Sequence, residues 1–384
     1  MVVVTHWNNN CLSGFNADQT ASAIHWSLNS FGDVYTDLVD LVNIAIDTDY
    51  APFTFDTCKP YPTRTLVSTG GYKHLGGFLP KFDLCMDLCW PGYYYSPDFQ
   101  LFFDVLSTHP IADLRKVDAY RTNGAMKGQA ALYNRFIDDL RQEGKRRNIG
   151  KQLSDWRGGL TEQARSVREL MVDLRSLDKR LIPMRVDLYY STSAVVEADA
   201  MPRVCWGAYS KAEHADDRFD APGWIGSFEV RARIDSRRAM EDRTRFFENR
   251  KGADRELFDA MVAYVCKMEV GGRHRANHFH VLFLFDADRV RSQDLVRLYS
   301  FVEQRWRRVT AGLGLVFHSR DREDVQQLRR QGRWALDALD CRNDAELAAL
   351  ERHVLGYLVK EKGQTLRVKP SPKARTLTIG QVGC

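Results

Sequence analysis

Long apolar runs are missing from this chain of 384 residues, and none approaches the ~20 residues a membrane-spanning helix needs. The opening "MVVVTHWNNN" lacks a basic segment followed by an apolar one, so no secretory leader is expected. The eight cysteines (11, 58, 85, 89, 205, 266, 341 and 384) form no paired framework. Cys85 and Cys89 in "CMDLC" have no second pair at zinc spacing, and the usage suits a reducing cytoplasm. No G-x-x-x-x-G-K-[S/T] loop occurs, which excludes a nucleotide-driven motor. Residues 1–110 contain no glutamate at all.

What is present is ordinary for a soluble globular protein: 44% hydrophobic and 27% charged residues, with length for two domains and a sizeable core. The charge is unevenly placed. Residues 1–110 hold 4 basic residues against 11 aspartates, a net −7, while residues 111–384 hold 51 basic against 39 acidic, a net +12. Arginine-rich clusters recur in the second stretch: "RQEGKRR", "RARIDSRR", "RWRR" and "RVKPSPKAR". Clustered Arg and Lys suit a phosphate-backbone partner, although most charge runs are solvated helix faces.

Three regions follow. Residues 1–110 are aromatic and punctuated by Gly and Pro, with one helix expected around "DQTASAIHWSLNSF" and no clean period elsewhere; no function can be assigned to them. Residues 111–182 carry two amphipathic helical patterns and read as a basic helical connector. Residues 183–384 begin with the strand "PMRVDLYYS", allow a strand at "WIGSFEVRARI", then give a helix from Ser236. A hairpin follows, "MVAYVCKMEV" returning as "HFHVLFLFD", then a helix from Ser292 and a strand "LGLVFHS". Leaving out the optional strand, the order is β-α-β-β-α-β, a ferredoxin-like α+β arrangement with an antiparallel sheet. Two helices, near 324–339 and 344–361, and a basic tail complete the chain.

Side chains alternate faces along a strand. His278, His280 and Leu282 therefore share one side, with Phe279, Val281, Phe283 and Phe285 directed into a core on the other. On the partner strand Lys267 and Glu269 share a face, so a closed hairpin brings Glu269 to both histidines. An isolated H-x-H is more often a half-polar sheet surface than a metal site; three converging ligands change that balance. Two imidazoles and a carboxylate form a facial ligand set with open positions, suited to zinc and later transition metals but also open to Mg²⁺ or Mn²⁺. In "HVLGYLVKEKGQ", Tyr357 and Lys360 are three residues apart and would share a helix face, a phenol beside a cation.

The segments "RVDLYY", "YVCKMEVGGRHRANHFHVLFLFD" and "GYLVKEKGQTLRVKPSPKARTLTIG" together resemble the YagK/YfjJ C-terminal-domain family, the inovirus-type gene-two proteins, within the HUH endonuclease superfamily. The resemblance covers roughly residues 115–382. It implies a rolling-circle replication initiator that nicks single-stranded origin DNA, with Glu269, His278 and His280 holding Mg²⁺ or Mn²⁺. Tyr357 would be the nucleophile and Lys360 its charge partner. The resemblance implies DNA contacts at Gln364 and Arg375 and a place on the site floor for Asp187. Arg305, Arg307, Arg308, Arg367 and Lys369 join them as basic residues tracking a DNA backbone. A single suitable tyrosine leaves a two-tyrosine strand-transfer cycle unsupported. The expected setting is the cytoplasm of a bacterial host, with a separate helicase and polymerase and no membrane. A non-catalytic nucleic-acid-binding regulator on the same sheet, and a single-tyrosine transposase or relaxase, remain alternatives.

Overall fold

The computed structural model describes residues 25–26, 28–58, 62–64, 75–79, 82, 85, 94–112, 123–191, 201–202, 236–248, 252, 254–270, 277–359, 368–369 and 371–381. The chain divides into two compact units. One comprises Ser22–Arg157 and Asp199–Val230; the other comprises Gly158–Ala198 and Arg231–Cys384 together with Met1–Ala21. The division falls between Arg157 and Gly158, inside the long helix Ile149–Arg175.

The first unit is built on α1 (Leu28–Asp47), α2 (Pro97–Thr108), α3 (Asn123–Arg146) and the start of α4 (Ile149–Arg175). The helix expected near residues 18–31 lies further along the chain: His25–Trp26 are extended and pair with Met201–Pro202, and α1 starts at Leu28. Its buried Leu38, Leu41, Val42 and Ala45 carry the three-and-four spacing of one helix face. Around Phe82, the rings of Phe102, Tyr133 and Phe136 meet edge to face, the closest pair, Phe82 and Phe136, with centroids 5.0 Å apart. Arg141 is buried there, its guanidinium donating to the carbonyls of Ala45 (2.9 Å) and Tyr50 (2.6 Å).

The second unit is α+β, an antiparallel sheet with helices on both faces. Its elements after α4 are β1 (Arg180–Tyr190), α5 (Ser236–Phe247), α6 (Arg255–Asp259), β2 (Met261–Val270), β3 (Asn277–Asp286), α7 (Leu295–Val309), β4 (Gly314–His318), α8 (Val325–Arg330), β5 (Leu339–Asp340), α9 (Asp344–Leu350), α10 (Gly356–Leu358) and β6 (Leu377–Gln381). β3 lies between β1 and β2, β6 extends the sheet beyond β2, and β4 and β5 pair with different parts of the outer edge of β1. The strands expected at 183–191, 261–270, 278–286 and 313–319 are thus all present. The segment "WIGSFEVRARI" lies outside the described residues.

The alternation read from β3 holds on both of its sides. Phe279, Val281, Phe283 and Phe285 pack with α5, α6 and α7, including Phe246, Phe258 and Trp306. Leu282 and Leu284 pack on the opposite face under Leu170, Leu174 and Leu350 of α4 and α9. Each Phe buried this way contributes roughly 1.5–3 kcal/mol from apolar area removed from water. Every residue of β3 is buried, so its histidine side is roofed and not an open sheet surface.

Two helices differ from expectation. The one expected at 324–339 is only α8, because Gly332 takes the left-handed conformation (φ 64°) that ends it. The Arg333 and Gly332 amides then bond back to Leu328 and Arg329 carbonyls at 2.9 and 3.0 Å, closing the helix end. The one expected at 344–361 starts as α9, capped by Asn343, whose side-chain oxygen accepts from the Ala345 amide at 3.0 Å. It then widens into one π turn, Glu351–Leu355, and stops at Leu358.

Candidate metal and tyrosine site

Strand register assembles the polar face. Across β2 and β3, Glu269 lies opposite His278 and Lys267 opposite His280. Across β1 and β3, Asp187 lies opposite His280. The period-two alternation then puts Arg185, Asp187 and Tyr189 on the same face as the histidines.

The imidazole Nε2 atoms of His278 and His280 are 3.2 Å apart, and Glu269 Oε2 is 3.2 Å from His280 Nε2. One ligand atom from each of Glu269, His278 and His280 lies within 4.8 Å of the others, so this buried group can hold a metal ion. Asp187 Oδ1 is 2.6 Å from His280 Nδ1. That contact keeps the Nδ1 proton directed at Asp187 and turns Nε2 towards the other two ligands, where a bound cation would take its lone pair in place of the second proton. His278 is held differently, its ring stacked on Tyr189 with centroids 5.1 Å apart and planes 11° from parallel.

Electrostatics follow from this crowding. Burial opposes a charge on His280, but Asp187 and Glu269 outweigh it and hold its pKa up at about 9. Burial likewise works against the Asp187 and Glu269 carboxylates, and His280 is the main influence keeping both below the usual carboxylate range. Lys267 is buried, and desolvation lowers it to about 8; its ammonium donates to Gln163 Oε1 at 2.6 Å.

Tyr357 reaches this face from the other side of the protein's sequence. After the π turn, in which the Gly356 amide bonds to the Glu351 carbonyl five residues back, the chain enters α10. This extra residue in the turn redirects the side chains that follow. The Tyr357 ring meets the His280 ring edge-on, with centroids 5.5 Å apart and an interplanar angle of 78°. Burial, then the negative charge of Glu269, push the phenol up to about 12, while Arg185 and Arg322 pull the other way. The Arg185 guanidinium lies over the Tyr357 ring, 4.9 Å from its centroid.

The structure therefore brings together Glu269, His278, His280, Asp187 and Tyr357. Lys360, Gln364 and Arg367 lie outside the described residues. Arg305 does not belong to a DNA surface. It is buried, and its guanidinium donates to the carbonyls of Phe246 (2.6 Å), Arg245 (3.1 Å) and Glu248 and to the Asp254 carboxylate. Arg308 is also tied to Asp254, though more exposed. Arg307 and Arg375 are exposed, and Lys369 is half-buried with its pKa lowered by burial. Arg185 and Tyr189 were missed from sequence; their period-two relation to Asp187 was the available signal. Arg322, close enough to influence the Tyr357 phenol, lies in a loop after β4 with no local pattern to mark it. Among the described residues no helix is long and apolar enough to cross a membrane. No protein-family model, curated protein or solved structure matches this chain.

Proposed function

We propose that the chain is a metal-dependent endonuclease that nicks single-stranded DNA through Tyr357 and so initiates rolling-circle replication, in the manner of the HUH, inovirus-type gene-two proteins. The observation that carries this reading is the 5.5 Å approach of the Tyr357 ring to His280, one of three convergent ligand residues. The antiparallel order β4–β1–β3–β2 supports a ferredoxin-like sheet beneath the site.

Glu269, His278 and His280 would hold a divalent cation, Mg²⁺ or Mn²⁺, which when bound polarises phosphate oxygens as a Lewis acid. Asp187 orients His280 for that task. Tyr357 supplies the nucleophile: its phenolic oxygen bonds to phosphorus as the bond from phosphorus to the 3′ oxygen breaks. The phenolic proton passes to water, and the departing 3′ oxygen takes one up. The products are a 5′-phosphotyrosine and a free 3′-OH for a polymerase to extend. Because the phosphotyrosine retains a phosphate ester, resealing by the 3′-OH needs no nucleotide. Unwinding falls to a separate helicase. A single-tyrosine transposase or relaxase would use the same site.

The test is incubation with 5′- and 3′-labelled single-stranded DNA and Mn²⁺. An SDS-resistant adduct is expected, lost in Tyr357→Phe and in the double variant His278→Ala, His280→Ala. An adduct undiminished in Tyr357→Phe would refute the nucleophile assignment. Duplex binding with no adduct under any divalent metal would favour a regulator.

A further inference from the structure

Arg185 has an unusual position for a charged residue. It lies on β1 two residues before Asp187, its side chain only 14% exposed, with its Nε 3.7 Å from Asp187 Oδ1, beyond hydrogen-bond reach. That Nε is buried and has no hydrogen-bond partner. A buried donor left without a partner is costly, so such an atom is normally answered by something. The same guanidinium is laid over the ring of Tyr357.

Two other described cations near this face are already engaged. Arg322 grips both oxygens of Asp324, at 2.8 and 2.7 Å, and Lys267 donates to Gln163 at 2.6 Å. Asp187 and Glu269 bring two negative charges, which a divalent cation would offset. A phosphodiester and a phenolate would then add two more. Arg185, paired with Asp187 only at 3.7 Å and with its Nε lacking a hydrogen-bond partner, sits beside the phenol and meets this charge balance, and an arginine fork suits phosphate oxygens.

We propose that Arg185 is the phosphate-contacting residue of this site, its guanidinium donating to a non-bridging oxygen of the phosphodiester that Tyr357 attacks. This rests on the nicking reading for its reaction, but the phosphate contact can be tested separately from it.

Two measurements on the full chain separate the ideas. In the first, binding of inorganic phosphate to the metal-free protein is followed by ³¹P NMR for wild type, Arg185→Gln and Arg185→Met. At least a tenfold weakening is expected in both variants, with Mn²⁺ affinity, read by calorimetry, kept within about threefold. The second is the rate of adduct formation at saturating DNA. A loss of 100-fold or more is expected in Arg185→Gln, with partial recovery in Arg185→Lys. Phosphate binding equal to wild type in Arg185→Gln overturns the proposal, whether or not an adduct forms. If no variant and no wild type gives an adduct but phosphate binding still depends on Arg185, the phosphate contact stands and the nicking reading falls. Should Arg185→Met fail to fold, Arg185→Gln, which keeps a polar side chain of related shape, carries the comparison.

Discussion

The two sides of β3 share one backbone and the same burial, yet they do opposite work. On one side Phe279, Phe283 and Phe285 are fully buried against α5, α6 and α7. On the other, His278 and His280 are 8% and 4% exposed, hardly less buried. Burial alone therefore says nothing about role. What separates the faces is whether each polar atom has been given a partner and what those partners leave open. Asp187 answers one nitrogen of His280, while the other converges with Glu269 and His278 on a common point. The apolar side is packed throughout, whereas on the polar side three ligand residues are turned towards one point.

The sharpest way to break this contrast is to remove bulk from the apolar side. Phe283→Ala should lower stability by roughly 3–5 kcal/mol through lost transfer energy and the cavity left behind. Urea denaturation measures it, with Mn²⁺ affinity of the folded fraction unchanged. A loss below about 1 kcal/mol would mean that the face is not close-packed.

The apolar side has a charged island of its own, and it is the place where the sequence misled. "RWRR" reads as a basic run, but Arg305 points inward, lies against the Phe246 and Phe258 rings and ties α7 to Asp254 and the end of α5. Helix periodicity distinguishes it from Arg307, since Arg305 shares a face with buried Val302 and neighbours buried Trp306. Arg305→Ala should cost ~3 kcal/mol by stranding buried acceptors, even though Arg308 still answers Asp254. DNA affinity of the folded protein should not change. An equal loss of DNA affinity at unchanged melting temperature would restore Arg305 to the binding surface.

Other parts of the site were legible to different depths, for physical reasons. The shared face of His278 and His280 follows from strand alternation, and the approach of Glu269 follows from a local hairpin; both need only short-range rules. The partnership of Asp187 with His280 depends on β1 lying beside β3, a pairing across 93 residues that no local pattern specifies. Tyr357 was reached through a resemblance, and its final direction depends on a π turn that an ideal helical period does not produce. Helix α1 was expected too early in the chain because aspartates and aromatics obscured the spacing of Leu38, Leu41, Val42 and Ala45.

On the polar side, Asp187→Asn sharpens the contrast at smaller cost. The asparagine oxygen still accepts from His280 Nδ1, but without the charge that makes the imidazole a better ligand. Mn²⁺ affinity should fall by about 10–100-fold, the range for outer partners of metal-bound histidines. Calorimetric titration measures it, and an unchanged affinity would show that His280 is oriented by packing alone.

The smallest effect belongs to the exposed arginines, which lie outside both faces of the strand. Arg307 is on the solvent side of α7, only two residues from Arg305. If it contacts a DNA phosphate, Arg307→Ala should flatten the dependence of log affinity on log salt by about 0.7, the increment for one contact with a single strand. Stability should stay within about 0.5 kcal/mol of wild type, as for a solvated side chain with no buried role. Anisotropy titrations of a labelled oligonucleotide at several salt concentrations provide the slope. A slope identical to wild type would remove Arg307 from the path of the DNA. A stability loss comparable to that of Arg305→Ala would instead show that helix periodicity had been read with the wrong phase, and with it the division between the charge that holds α7 in place and the charge left for a partner.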